Sequence, residues 1–142
     1  MAKLDLLGAV PLFRGSSRKE LSQVSAIANR VSAAPGEILA REGEAGDLFF
    51  VIERGEAEVS IGGRRVAALS AGEFFGEVAL LDALPRTATV TARTAMTLYA
   101  VKAADFSRFL DSSPSITRKL LATVSERLRS VERAPSYAKP EV

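Results

Sequence analysis

Apolar positions along the chain change their period twice, which divides it into three stretches. Leu21, Val24, Ile27, Ala28 and Val31 recur at three- and four-residue steps, the mark of a helix with one buried stripe. Just ahead of them, Ser17-Arg18-Lys19-Glu20 has the form of a capping box, in which a hydroxyl and a carboxylate each take a free backbone amide. The pattern predicts one amphipathic helix over residues 17–32. The apolar run from Leu4 to Phe13 is broken by Gly8 and Pro11, so a short helix or turn packed beneath the next layer is expected. From Glu37 to Val101 short β-rich runs alternate with glycine turns. Gly62-Gly63, set between Val59-Ser60-Ile61 and Arg64-Arg65-Val66, predicts a two-residue hairpin. Helical spacing returns over Ala103 to Ser112. A last helix follows to about Val131, with Ser113 as N-cap and Pro114 at its first position.

These elements predict an α+β domain, a small antiparallel β jelly roll or barrel of about eight strands with an N-terminal helix and two C-terminal helices. One domain is expected over residues 1–132, with N-terminal helices within 4–32, a β-roll over 36–101 and C-terminal helices over 103–132. Residues 133–142, with Pro135 and Pro140, have the composition of a flexible tail. A chain of 142 residues with 47% hydrophobic content can build one core of this size. No repeat of fixed period interrupts it.

Composition narrows the chemistry. The chain has no cysteine and no histidine, which excludes a disulfide scaffold and thiolate metal sites. It also lacks the commonest metal ligand and the commonest general base. No metal, no cofactor and no enzyme activity are expected. A net charge of +2 is too small to indicate nucleic acid as a partner. No apolar run approaches the roughly 20 residues of a membrane span, and Met1-Ala2-Lys3-Leu4-Asp5 does not open a signal peptide. A soluble, cytoplasmic protein with no membrane partner is expected.

Residues 72–90, GEFFGEVALLDALPRTATV, carry the densest chemistry. Gly76 lets backbone approach a ligand, and the run Val78-Ala79-Leu80-Leu81 can form a short helix whose first amides point at an anion. Glu77 stands at that helix start as a hydroxyl acceptor. Arg86 follows Pro85, whose fixed φ stiffens the turn, and a guanidinium forks two donors onto phosphate oxygens. Read singly, these residues fit ordinary turns, and Glu77 with Arg86 would be a surface ion pair of small value.

Together they resemble the phosphate-binding cassette of cyclic nucleotide-binding domains, with Phe75-Gly76-Glu77, Ala79-Leu80, Pro85-Arg86 and Ala88-Thr89-Val90 in register. The resemblance extends over about residues 5–131 through Pro35-Gly36-Glu37, Glu42-Gly43-Glu44-Ala45-Gly46-Asp47 and Arg54-Gly55-Glu56. Glu44 departs from it, standing where the family commonly has aspartate. The resemblance implies cyclic AMP or cyclic GMP as ligand, with Arg86 on the cyclic phosphate and Gly76 and Glu77 on the ribose side. The implied ligand-binding set is Phe75, Gly76, Glu77, Val78, Arg86, Thr87, Ala88, Val59 and Arg127. Threonine after the arginine goes in this family with tolerance of guanine, yet Thr87 fits equally as a β-branched strand residue. Helical spacing gives the last helix one apolar face of Ile116, Leu120, Leu121, Val124, Leu128 and Val131, and similarity to the domains of bacterial cyclic-nucleotide-gated potassium channels implies Arg127 over the purine, where read alone it fits a solvated helix charge.

The expected function is a stand-alone regulatory domain in signal transduction, which closes its last helix over the nucleotide and signals to a protein partner or a second copy. A catabolite-activator type of transcription factor would need roughly 60 further residues for a winged helix, and the chain ends sooner. A cupin-like enzyme shares the architecture but needs the histidines this chain lacks. The standing alternative is an interaction module with a purely structural cassette. Leu121, Val124, Leu128 and Val131 also have the spacing to zip two chains together.

Overall fold

The computed structural model describes residues 3–77 and 85–133, with side chains as far as Ser130. The helix expected over residues 78–81 and the tail from residue 134 lie outside the described residues. Helix α1 (Lys3–Gly8), a 3-10 turn (Pro11–Phe13) and α2 (Arg18–Ile27) lead into eight strands. These are β1 (Ala28–Ala33), β2 (Ile38–Ala40), β3 (Leu48–Arg54), β4 (Ala57–Ile61), β5 (Arg64–Leu69), β6 (Phe74–Phe75), β7 (Thr89–Ala92) and β8 (Met96–Lys102). Helices α3 (Ala103–Asp111) and α4 (Pro114–Arg133) follow. The strands form two four-stranded antiparallel sheets, ordered β1-β8-β3-β6 and β2-β7-β4-β5. This is the jelly-roll architecture with flanking helices that the periodicity predicts.

The first sheet is covered on both faces, which explains why β3 buries four successive residues, Phe49 to Ile52. Alternation sends Phe49, Val51, Phe74, Tyr99 and Val101 to the helical side, where they meet Leu7, Phe13, Val24, Phe106 and Ile116. Phe49 stacks on Phe106 with centroids 4.4 Å apart. The alternate residues Phe50, Ile52, Phe75, Leu98 and Ala100 face into the roll against Ala57, Val90 and Ala92 of the second sheet. That second sheet has one solvent face, and five of the six β5 residues are exposed. Gly62 and Gly63, at φ +60° and +78°, close the β4–β5 hairpin with Ile61 opposite Arg64 as expected.

One element ends earlier than the pattern predicts. The capping box forms, with Glu20 N donating to Ser17 Oγ at 3.1 Å and Ser17 N donating to Glu20 Oε1 at 2.9 Å. The helix nevertheless stops at Ile27 rather than residue 32, and residues 28–33 form β1 against β8, from Ala28 opposite Val101 to Ala33 opposite Met96. Strand pairing with a segment some seventy residues away overrides a local helical period. Lys3 Nζ reinforces the stop by donating to Ser25 O at 2.6 Å and to Ala28 O, a cation at the end of the helix where its dipole favours one.

The last helix also differs in part. Pro114 occupies its first position, but Ser113 Oγ is buried without a hydrogen-bond partner, so the expected side-chain cap does not form. The predicted apolar face divides. Ile116 and Leu120 are buried and Val124 is half-buried, whereas Leu121 and Leu128 are 55% and 59% exposed. The inward stripe runs Ile116, Leu120, Val124 and then Arg127, at steps of four, four and three.

Candidate functional site

Arg86 is built into the roll by its backbone first. Its N–H donates to Glu44 O at 2.8 Å and its carbonyl accepts from Gly43 N at 2.9 Å, tying it to the β2–β3 loop. The guanidinium then crosses between two glycines. A Cβ at Gly46 would fall 2.5 Å from Arg86 Cζ, and one at Gly76 would fall 3.2 Å from Nη1. Gly76 is required twice over, since its φ is +89° and a Cβ there would also stand 2.6 Å from Leu48 O. Arg86 Nη2 donates to that same Leu48 O at 3.0 Å.

Burial and two carboxylates act on this guanidinium in opposite directions. Partial burial holds it below the ordinary arginine range, and Asp47 and Glu77 oppose that shift by favouring the cation. It has no ion pair within 4 Å among the described residues. Among the described residues the guanidinium has one carbonyl partner, and a planar fork of this kind matches two oxygens of a phosphate. A cleft of about 390 Å³ opens beside it, lined by Ile38, Leu39, Ala40, Arg41, Glu44, Ala45, Asp47 and Leu48 as well as Arg86. That volume falls within the range of small-ligand sites.

Glu77 does not pair with Arg86. Its Oε1 accepts from Arg127 Nη1 at 3.0 Å, with the glutamate 14% and the arginine 30% exposed. Arg127 also donates through Nη2 to Phe74 O and lies over the Phe74 ring, 4.4 Å from its centroid. The end of the inward stripe of α4 is therefore fastened to the strand and turn that lead into the cassette. Glu77 Oε2 carries no hydrogen bond among the described residues and can still accept one from a hydroxyl.

The remaining predicted residues that the structure describes lie on β4, on β6 and at the entry to β7. The Phe75 ring is buried and stacked on Phe50 with centroids 4.8 Å apart, so it walls the interior of the roll. Val59 is half-buried on β4, packed against the inner cluster. Thr87 is exposed and Ala88 half-buried at the entry to β7. Val78 lies outside the described residues. Sequence reasoning put Arg127 over the purine, and the structure places it on Glu77 and Phe74. It missed Gly46, Asp47, Leu48 and Phe74. Gly46 and Asp47 were visible only as turn residues, and a backbone carbonyl such as Leu48 O leaves no signal in a sequence.

The fold places this chain among small jelly-roll domains with flanking helices, and the comparisons give the family. Residues 30–113 match the family model of the cyclic nucleotide-binding domain. The chain belongs to that family. It is 40% identical over 124 residues to a cyclic nucleotide-gated potassium channel of Rhizobium etli, covering 87% of this chain and 34% of the channel. The regulatory domain of Toxoplasma gondii PKA, solved with cAMP, superimposes with a TM-score of 0.77 at 27% identity, covering 87% of this chain and 49% of that one. The catabolite activator protein of Thermus thermophilus does so with a TM-score of 0.75 at 28% identity, covering 86% and 60%. The chain thus spans about a third of the curated channel it resembles. Among the described residues, no cluster of carboxylates could hold a metal ion and no helix is long and apolar enough to cross a membrane.

Proposed function

We propose that this domain is a cyclic nucleotide receptor of cytoplasmic signalling that reports binding through α4 to a protein partner. The observation that carries the reading is Arg86, partly dried, held by Leu48 O and without an ion pair among the described residues. In this role it takes the cyclic phosphate. A phosphodiester entering such a site without a cation would lose hydration worth several kcal/mol, which a bidentate guanidinium restores.

Glu77 takes the ribose 2′-hydroxyl on Oε2, while Oε1 keeps Arg127. The two bonds support one another, because a carboxylate fixed by the sugar is already oriented for the guanidinium. Ligand binding and docking of α4 are then coupled through one side chain, and each strengthens the other. A signal leaves by the helix, whose exposed Leu121 and Leu128 offer an apolar edge to a partner. Cyclic AMP is the ligand of the PKA neighbour, and both cyclic AMP and cyclic GMP belong to the proposal.

A second reading rests on a specific observation. Arg86 and Glu77 each have a partner within the protein, Leu48 O and Arg127, so the cassette can close upon itself as a structural element of an interaction module. Isothermal titration separates the two. The receptor reading predicts saturable binding of cyclic AMP or cyclic GMP with a matching rise in melting temperature, and a much weaker response to 5′-AMP. No heat and no thermal shift at millimolar cyclic nucleotide would leave the interaction module.

A further inference from the structure

The chain has ten glycines, and eight of them lie at positive φ, where the backbone itself asks for glycine. Gly8 and Gly46 are the exceptions. Gly8 faces the flexible end of Leu21, 3.3 Å from a hypothetical Cβ. Gly46 faces Arg86 along the length of its side chain, since a Cβ there would meet Nε, would stand 2.5 Å from Cζ and would stand 2.9 Å from Cγ. No other atom is among its three nearest neighbours. The backbone at Gly46 would accept another residue, so what excludes a side chain there is the arginine.

We infer that Gly46 is a positioning residue for the anion subsite, its missing side chain forming the slot that sets where the Arg86 guanidinium stands. The inference rests on the proposed reading of Arg86 as the phosphate contact. Three features hold the arginine in that slot. Its backbone is paired with the same loop through Glu44 and Gly43, its Nη2 donates to Leu48 O, and Gly76 bounds it on the other side. Gly76 has no side chain to move aside, and it stands close enough to Leu48 O that a Cβ there would fall 2.6 Å from that oxygen. A methyl group at residue 46 can therefore be accommodated only by displacing the stem and fork of Arg86. Such a displacement leaves the roll intact and takes the donors away from the place where an anion would meet them.

The test is a double-mutant cycle on the whole chain, with Gly46→Ala, Arg86→Ala and the two combined. In the absence of ligand, Gly46→Ala is expected to lower the melting temperature by roughly 4 °C or more, as overpacking against a fixed side chain does. In the Arg86→Ala background the same alanine is expected to cost little. Titrated with cyclic AMP, Gly46→Ala is expected to bind about tenfold more weakly or worse, the scale of coupling between residues in contact. An affinity loss with an unchanged melting temperature also supports the slot, since the arginine then yields by swinging aside. If Gly46→Ala does not fold and the double variant does, the inference stands. An equal thermal loss in both backgrounds, failure of both to fold, or unchanged affinity in Gly46→Ala overturns it. Absence of cyclic AMP binding by the wild type would instead defeat the receptor reading, and the thermal cycle would then judge the slot alone.

Discussion

The two arginines of the site, Arg86 and Arg127, have the same chemistry and opposite circumstances. Arg86 lies between glycines with a backbone carbonyl as its hydrogen-bond acceptor and no carboxylate in ion-pair range among the described residues. Arg127 has a carboxylate, a carbonyl and an aromatic face at once. Among the described residues the first has one donor on Leu48 O and no carboxylate at ion-pair distance. The second is already neutralised and is occupied in holding a helix. Equal charge thus comes with different partners, because the described neighbours of Arg86 are glycines while those of Arg127 are Glu77 and Phe74.

The largest effect expected from this contrast is that of Arg86→Ala. It should weaken every cyclic nucleotide by about 2–5 kcal/mol, because it removes a desolvated charge partner, and it should leave the fold in place. Equal affinity of the variant and the wild type by direct titration would end the assignment of the anion site. A smaller and more selective effect is expected from Glu77→Ala. Preference for ribose over 2′-deoxyribose should largely disappear, since a site built around a hydroxyl discriminates by leaving its acceptor unpaired. The same substitution strips Arg127 of its carboxylate and should lower stability by about 1–3 kcal/mol in a melt without ligand. A Glu77→Ala protein that kept full ribose preference, or melted as the wild type does, would separate the ribose contact from the helix contact.

Much of this was legible in the sequence where the determinants are local. The capping box at Ser17, the Gly62-Gly63 hairpin and the start of α4 at Pro114 depend on residues within a few positions of each other. Gly76, Glu77 and Arg86 stand out for the same reason, as a short constellation within eleven positions of the sequence. What escaped depends on distant partners. Helix α2 ends at Ile27 because β8 lies ready to pair with residues 28–33. Arg127 reaches Glu77 across fifty positions, and its stripe on α4 ends on a polar residue just where it meets the turn after β6. Gly46 looked like one more turn glycine because its reason for being glycine is the side chain of Arg86, forty residues on. The predicted burial of Leu121 and Leu128 failed because helical spacing gives a period and not the width of the face that is covered.

The central claim is that Glu77 joins the ligand to α4 through Arg127, and amide hydrogen exchange across residues 120–128 tests it most directly. Helix amides report local opening, so any added hold on the helix appears as slower exchange. In wild-type protein saturated with cyclic AMP these amides are predicted to exchange more slowly than in the free protein. In Arg127→Ala, saturated equally, the slowing is predicted to be lost while the nucleotide remains bound at Arg86. Equal slowing in both proteins, or none in either at proven saturation, would contradict the claim that this ion pair carries the signal.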